Sequence, residues 1–120
     1  MSNHDRMEYL RDKIDEYRGY ISELEEACAF ANDVRAEIRS DNEEPIKRFD
    51  VSSAGSWEGN LELEAEDRRN DIVCSIAAGQ NLASDFISDV QNIIERLHEK
   101  IEDYESELSS LEAAQDDSGY

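Results

Sequence analysis

One proline and five glycines in 120 residues leave little to punctuate a chain of short strands. Sandwiches and barrels need frequent turns, and turns draw on those residues. Cysteine is scarce as well. Cys28 and Cys74 are far apart, there is no Cys-x-x-Cys, and the two histidines, His4 and His98, are separated, so no zinc spacing is present. No apolar run approaches the ~18–20 residues of a membrane span, which argues against direct membrane insertion. The polar start, Met1 to Arg6, is followed by no apolar stretch and does not read as a cleavable signal. Positive charge is the other shortage: nine arginines and three lysines face 31 acids, for a formal net charge of −19. Nucleic acid and anionic membrane surfaces both call for a cationic face, so neither is an expected partner. The acids read first as a solvated surface that keeps an elongated protein soluble. A salt-adapted source and an acidic mimic of DNA are the alternatives.

With 36% of residues charged and 38% hydrophobic, what remains is a long-helix composition in a chain of single-domain length. Met7, Leu10, Ile14, Tyr17, Ile21, Leu24, Cys28, Ala31 and Ile38 follow alternating three- and four-residue steps, a coiled-coil seam. Arg35 falls on the one remaining seam position, with Val34 beside it to take its place. Ser2-x-x-Asp5 offers a capping box at the start. Asp41, Asn42 and Pro45 are expected to end this helix, because the residue before a proline is pushed out of the helical region. A span from about Asp5 to Asp41 is roughly 55 Å long at 1.5 Å per residue. The connection, about 42–60, contains Phe49, Val51 and Trp57 among serines and glycines. It is longer than most helical connections, so a turn of helix or an ordered bend is expected within it.

The second helix is expected from about 61 to 114, capped by Asn60, with Glu62 and Glu64 near its positive end. Its seam reads Ile72, Ile76, Gly79, Ala83, Phe86, Val90, Ile93, Leu97, Ile101, Tyr104, Leu108, Leu111. Two consecutive four-residue steps around Leu97 read as a stutter. Gly79 costs about 1 kcal/mol inside a helix, and a break at Gly79-Gln80-Asn81 is the alternative to a continuous one. Gln115 to Tyr120 reads as a polar tail. The expected fold is therefore all-α: one long antiparallel helix-turn-helix hairpin, residues 1–114, with coiled-coil-like packing.

If the helices turn between residues 40 and 61, Gly79 lies level with about Ser22. Ala77, Ala78 and Ala83 then meet Tyr17, Tyr20 and Ile21, small against large. The first helix is exhausted level with about Leu97. In that register Leu97, Ile101, Tyr104, Leu108 and Leu111 continue the seam with nothing of their own chain opposite. Each such side chain is worth roughly 1.5–3 kcal/mol when buried, so they are the expected partner-binding residues. Cys28 and Cys74 fall near one level, but packed helix axes lie about 8–10 Å apart and a disulfide needs Cα atoms within about 7 Å. Two thiols are expected. No nucleophile has a base beside it by motif, and His98 among Glu95, Glu99 and Glu102 lacks a second histidine. Neither an enzyme nor a cofactor or metal site is expected.

At the bend sits Ser56-Trp57-Glu58-Gly59-Asn60, a lone Trp-x-Gly between two helices. Trp57 offers a large apolar face, either to plug the hairpin end or to touch a partner, and Gly59 permits a positive φ or a close backbone approach. A helix, a Trp-x-Gly bend and a second helix in about 100 residues resemble the WXG100 superfamily of type VII secretion. The architecture covers nearly the whole chain, and residue identity covers only Trp57 and Gly59. The long connection and the Glu/Leu-rich end look like the DUF5082-type accessory proteins of LXG toxins. That resemblance implies a non-enzymatic chaperone or targeting partner of the helical N-terminal domain of an LXG-type toxin. It also implies a hetero-oligomer rather than a homodimer, a second small helical accessory protein, and a cytoplasmic location or export alongside the partner. The Tyr-x-x-x-Asp/Glu that often follows the second helix is missing, since Leu108 stands fourth after Tyr104. Either the partner bears the export signal or this chain stays behind as an adaptor. A self-associating WXG100-like secreted dimer, and a coiled-coil adaptor unrelated to secretion, are the alternatives.

Overall fold

The computed structural model describes residues 2–50 and 59–118, apart from the side chains of 116–118. It is an all-α helical hairpin. Helix α1 runs Asn3–Ile38, a π-helical turn follows at Arg39–Glu43, α2 is Glu44–Arg48, and α3 runs Gly59–Ser118. The chain divides into two compact units. The first joins residues 1–28 to 88–120, and the second is residues 29–87. No helix among the described residues is long and apolar enough to cross a membrane.

The start of α1 is capped as its sequence requires. Ser2 Oγ accepts the Asp5 backbone N–H at 3.1 Å, and the Ser2 carbonyl accepts that of Arg6 at 2.9 Å. Two of the amide groups that no helical carbonyl can reach are thereby satisfied or brought into the ladder. The expected seam is the buried one: Met7, Leu10, Ile14, Ile21 and Cys28 are buried, and Tyr17, Leu24, Ala31 and Ile38 are half-buried.

The helical path does not stop at Asp41, Asn42 or Pro45 as expected. Glu44, directly before the proline, keeps helical angles (φ −66°, ψ −45°), and its N–H bonds the Arg39 carbonyl five residues back. That wider turn is the physical reason. A proline inside an α-helix removes a donor and crowds the carbonyl four residues earlier. A π turn re-routes the ladder ahead of Pro45 and leaves the ring in the first turn of α2, where no amide donor is needed. The helix ends at Phe49, whose ψ of 121° is extended. Thus α2 is the turn of helix expected in the connection. Arg69 of α3 holds its last turn, donating from Nη1 to the Ile46 and Lys47 carbonyls at 3.3 and 3.4 Å. Helix ends leave such carbonyls without internal donors, so Arg69 serves as a C-terminal cap delivered from another helix.

Helix α3 begins at Gly59, which places Asn60 inside the first turn rather than at the cap. It passes through Gly79 without a break and continues to Ser118, beyond the expected end at 114, because no strong breaker precedes Gly119.

Two further expectations are corrected. The first concerns the seam of α3. Its inward row is Val73, Ile76, Gln80, Ala83, Ile87, Val90, Ile94, Leu97, Ile101, Tyr104, Leu108 and Leu111, all buried or half-buried. These follow unbroken alternating steps of three and four, so there is no stutter. Phe86 and Ile93, read from sequence as seam residues, are 53% and 44% exposed, while their neighbours Ile87 and Ile94 face inward. Ile72 and Gly79 are likewise exposed.

The second concerns register. In the second unit, Arg35 meets Gln80 and Ile46 meets Arg69, levels eleven residues apart on each arm. Gly79 is therefore level with the turn around Arg35 and not with Ser22. In the first unit the Tyr17 and Tyr104 rings lie 5.7 Å apart, and Arg18 pairs with Glu105 at 2.9 Å. Arg6 and Arg11 pair with Glu107 and Glu112. Helix persists to Arg48, later in the chain than expected. Every facing pair shifts toward the end of α3 as a result.

Candidate partner-binding face

That register removes the basis for the site expected at the end of α3. Ile101 is 5% exposed and forms one cluster with Ile14 and Ile21. Leu97, Tyr104 and Leu108 pack against the same cluster, and Leu111 is half-buried. Leu97, Ile101, Tyr104 and Leu108 thus meet the chain's own first helix, where the expected register left them unopposed. Of the hairpin motif, Gly59 is the first residue of α3, and Trp57 lies outside the described residues.

Charge pairs frame the first unit. Arg6 grips Glu107 through two bonds, Nε to Oε2 at 2.6 Å and Nη2 to Oε1 at 2.9 Å. The hydrogen bond from Arg6 holds the Glu107 carboxyl below its ordinary range, and Arg6 itself is raised by the same bond. Farther along α1 the Tyr20 hydroxyl donates to Glu16, which lowers the carboxyl and raises the phenol. These groups are solvated, so they add little to stability. The Arg6–Glu107 pair neutralises part of an acidic surface and marks which residues face each other across the arms.

In the second unit a polar pair interrupts the apolar rows. Arg35 Nε donates to Gln80 Oε1 at 3.3 Å, and Gln80 Nε2 donates to the Arg35 carbonyl at 3.0 Å. Both residues stand on seam positions of otherwise apolar rows, where a polar residue selects one register at some cost in stability. Arg35 thus keeps the seam position itself, with Val34 half-buried beside it.

On one side of this pair lies a groove of about 410 Å³, lined by Phe30, Ala31, Val34, Ile38, Ile76, Gly79 and Ala83 together with Arg35 and Gln80. Part of the lining is small: Ala31, Gly79 and Ala83. A Cβ placed on Gly79 would meet nothing within 4 Å. Large apolar side chains stand in or near it: Phe30, in the lining, and Leu82, next to Ala83, are each 71% exposed, and Phe86 stands one turn beyond Leu82. Ile72, Gly79 and Phe86 recur every seven residues, so α3 carries a second row beside its covered seam. Sequence reasoning missed Phe30, Val34 and Leu82 as surface residues of interest. The signal was present in the two consecutive four-residue steps, which mark a slip from one row to the other and not an irregular coil.

Both cysteines are free thiols, Cys28 buried and Cys74 exposed. Among the described residues no group of three His, Cys, Asp or Glu side chains could hold a metal ion, and His98 is exposed. No protein-family model matches this sequence, and no curated protein or solved structure matches it either.

Proposed function

We propose that this chain is a non-enzymatic helical accessory protein that lends an apolar face to a helix of another protein. The observation that supports this is the second apolar row of α3. One row is covered by α1, while Ile72, Gly79 and Phe86 stand exposed in heptad spacing beside it. A helix with a single neighbour has use for one row; two rows suit a helix with two neighbours. The resemblance of the Trp57-x-Gly59 bend to WXG100 proteins narrows the reading. The partner is then the helical N-terminal domain of an LXG-type toxin, bound for targeting to type VII secretion, with the missing Tyr-x-x-x-Asp/Glu leaving the export signal to that partner. Co-expression with the product of the neighbouring gene, followed by pull-down, tests this. A stable complex with a large protein of helical N-terminus and toxic C-terminus is the expected result. A neighbour of another kind, or a folded chain that ignores such a toxin, would sink the secretion reading.

A further inference from the structure

The groove of the second unit has a defined chemistry. Its lining sets the small residues Ala31, Gly79 and Ala83 beside the branched Val34, Ile38 and Ile76, so the backbone of a visiting helix can come close and its apolar side chains can drop between the arms. Phe30 on α1 belongs to the lining, and Leu82 and Phe86 stand exposed on α3 one and three residues from Ala83. Within the lining the one charged side chain, Arg35, already has the Gln80 oxygen as its acceptor.

Outside the rim the chemistry changes sign. Asp33 and Glu37 lie one helical turn or less from Phe30 and Val34 on the outer side of α1. On α3, Asp71 stands beside Ile72 and Asp85 beside Phe86, and all four acids are exposed. Residues 29–87 carry thirteen acidic and six basic side chains, so this pattern belongs to the whole unit. A second copy of the chain seated here would set one acidic rim against another, and like charges brought together at an interface are costly. The complementary occupant has the opposite arrangement.

We infer that the groove lined by Phe30, Ile76 and Gly79 is a docking site for a single amphipathic helix of another protein, one whose apolar face is flanked on both edges by lysine or arginine. The inference rests on the reading of the chain as a partner-binding hairpin and adds which face is used and the charge of what binds there. Gly79 leaves its part of the lining without a side chain. A Cβ there meets nothing within 4 Å, so a side chain that continues outward from it leaves the hairpin intact while obstructing the visitor.

The test uses the full chain and two synthetic peptides of about four heptads. Both have Leu and Ile on the seam; one carries Lys and Arg on the flanking positions, the other Glu. Titration followed by calorimetry should show binding of the basic-flanked peptide, weakened by salt, and at least tenfold weaker or absent binding of the acidic-flanked one. Gly79→Leu and Leu82→Ala should each reduce affinity for the basic peptide by about tenfold or more, with thermal stability unchanged or, for Gly79→Leu, increased. Equal binding of the two peptides would overturn the charge assignment. Undiminished binding to Gly79→Leu would overturn the location. A dimer in sedimentation that Gly79→Leu dissociates would show a second copy as the occupant and end the proposal. These results do not depend on the neighbouring gene product. Peptide binding with a failed pull-down refutes the secretion reading alone, and a pull-down untouched by Gly79→Leu refutes the groove alone.

Discussion

Ile101→Ala and Ile93→Ala form a matched pair on one helix, and they separate the observed register from the one expected by sequence. Ile101 is 5% exposed against Ile14 and Ile21, whereas Ile93 is 44% exposed. Truncating a buried isoleucine to alanine costs about 2–5 kcal/mol, part transfer and part cavity. Alanine returns up to about 0.7 kcal/mol through better helix propensity, so the net cost at Ile101 is about 1.3–4.3 kcal/mol, centred near 2.5. At Ile93 less apolar area is lost and no closed cavity forms, so propensity offsets most of the loss and the net cost is about 0.5 kcal/mol or less. At about 4 °C per kcal/mol for a chain of this size, the variants should melt roughly 10 °C and less than 3 °C below the parent. Thermal and urea unfolding followed by circular dichroism measure this directly. If Ile101→Ala cost under about 0.5 kcal/mol, or the two variants were equally destabilised, Ile101 would not face α1 and the register argued above would be wrong.

Gly79→Ala should stabilise the chain by about 0.5–1 kcal/mol, since alanine is the better helix former and its methyl group meets nothing within 4 Å; a loss in urea unfolding would show a close neighbour there. A double-mutant cycle on Arg35→Ala and Gln80→Ala should give a coupling of about 0.5–1 kcal/mol from the Nε–Oε1 bond, since the backbone carbonyl that accepts from Gln80 persists in Arg35→Ala, and additivity would remove the register role given to the side-chain pair. In an NMR titration Glu107 should lose its charge at lower pH than an ordinary glutamate, and Arg6→Gln should restore the ordinary value. With the folded pKa depressed, the contribution of Glu107 is complete above the unfolded pKa and disappears as pH falls through the folded one. Arg69→Ala should leave the Ile46 and Lys47 carbonyls without their donor, seen as faster amide exchange across α2 while the Ile14–Ile101 region stays protected.

How much of this was legible in sequence depends on what had to be read. The seam of α1 was, because Met7 through Ile38 offer one apolar row with no competing one. The seam of α3 was ambiguous, because apolar side chains stand next to each other at Phe86–Ile87 and Ile93–Ile94, and periodicity alone does not say which of two neighbours points inward. The regular alternation through Ile87 and Ile94 was available as the arbiter. Register was harder, since it hangs on where the helix ends, and proline is a strong stop signal that a π turn can bypass. Once the end of α1 was placed too early, the seam from Leu97 to Leu111 looked unopposed. The candidate groove followed the same path. Its rim residues, Phe30 and Leu82, lie off both seams and become noticeable only when their 71% exposure is known.

The π turn at Arg39–Glu43 also has a rotational meaning. It spends one residue more than an α-helix would over the same stretch, and in an α-helix one residue is about 100° of azimuth. The turn therefore absorbs that residue: past it, each side chain falls about 100° from the face that continuous α-helical counting would give it. The path of the helix itself is kept, so Ile46 and Lys47 present their carbonyls to Arg69. Deleting any single residue between Ser40 and Asn42 would restore an α-helical ladder and leave α2 in nearly the same orientation, with every side chain of the two long seams unchanged.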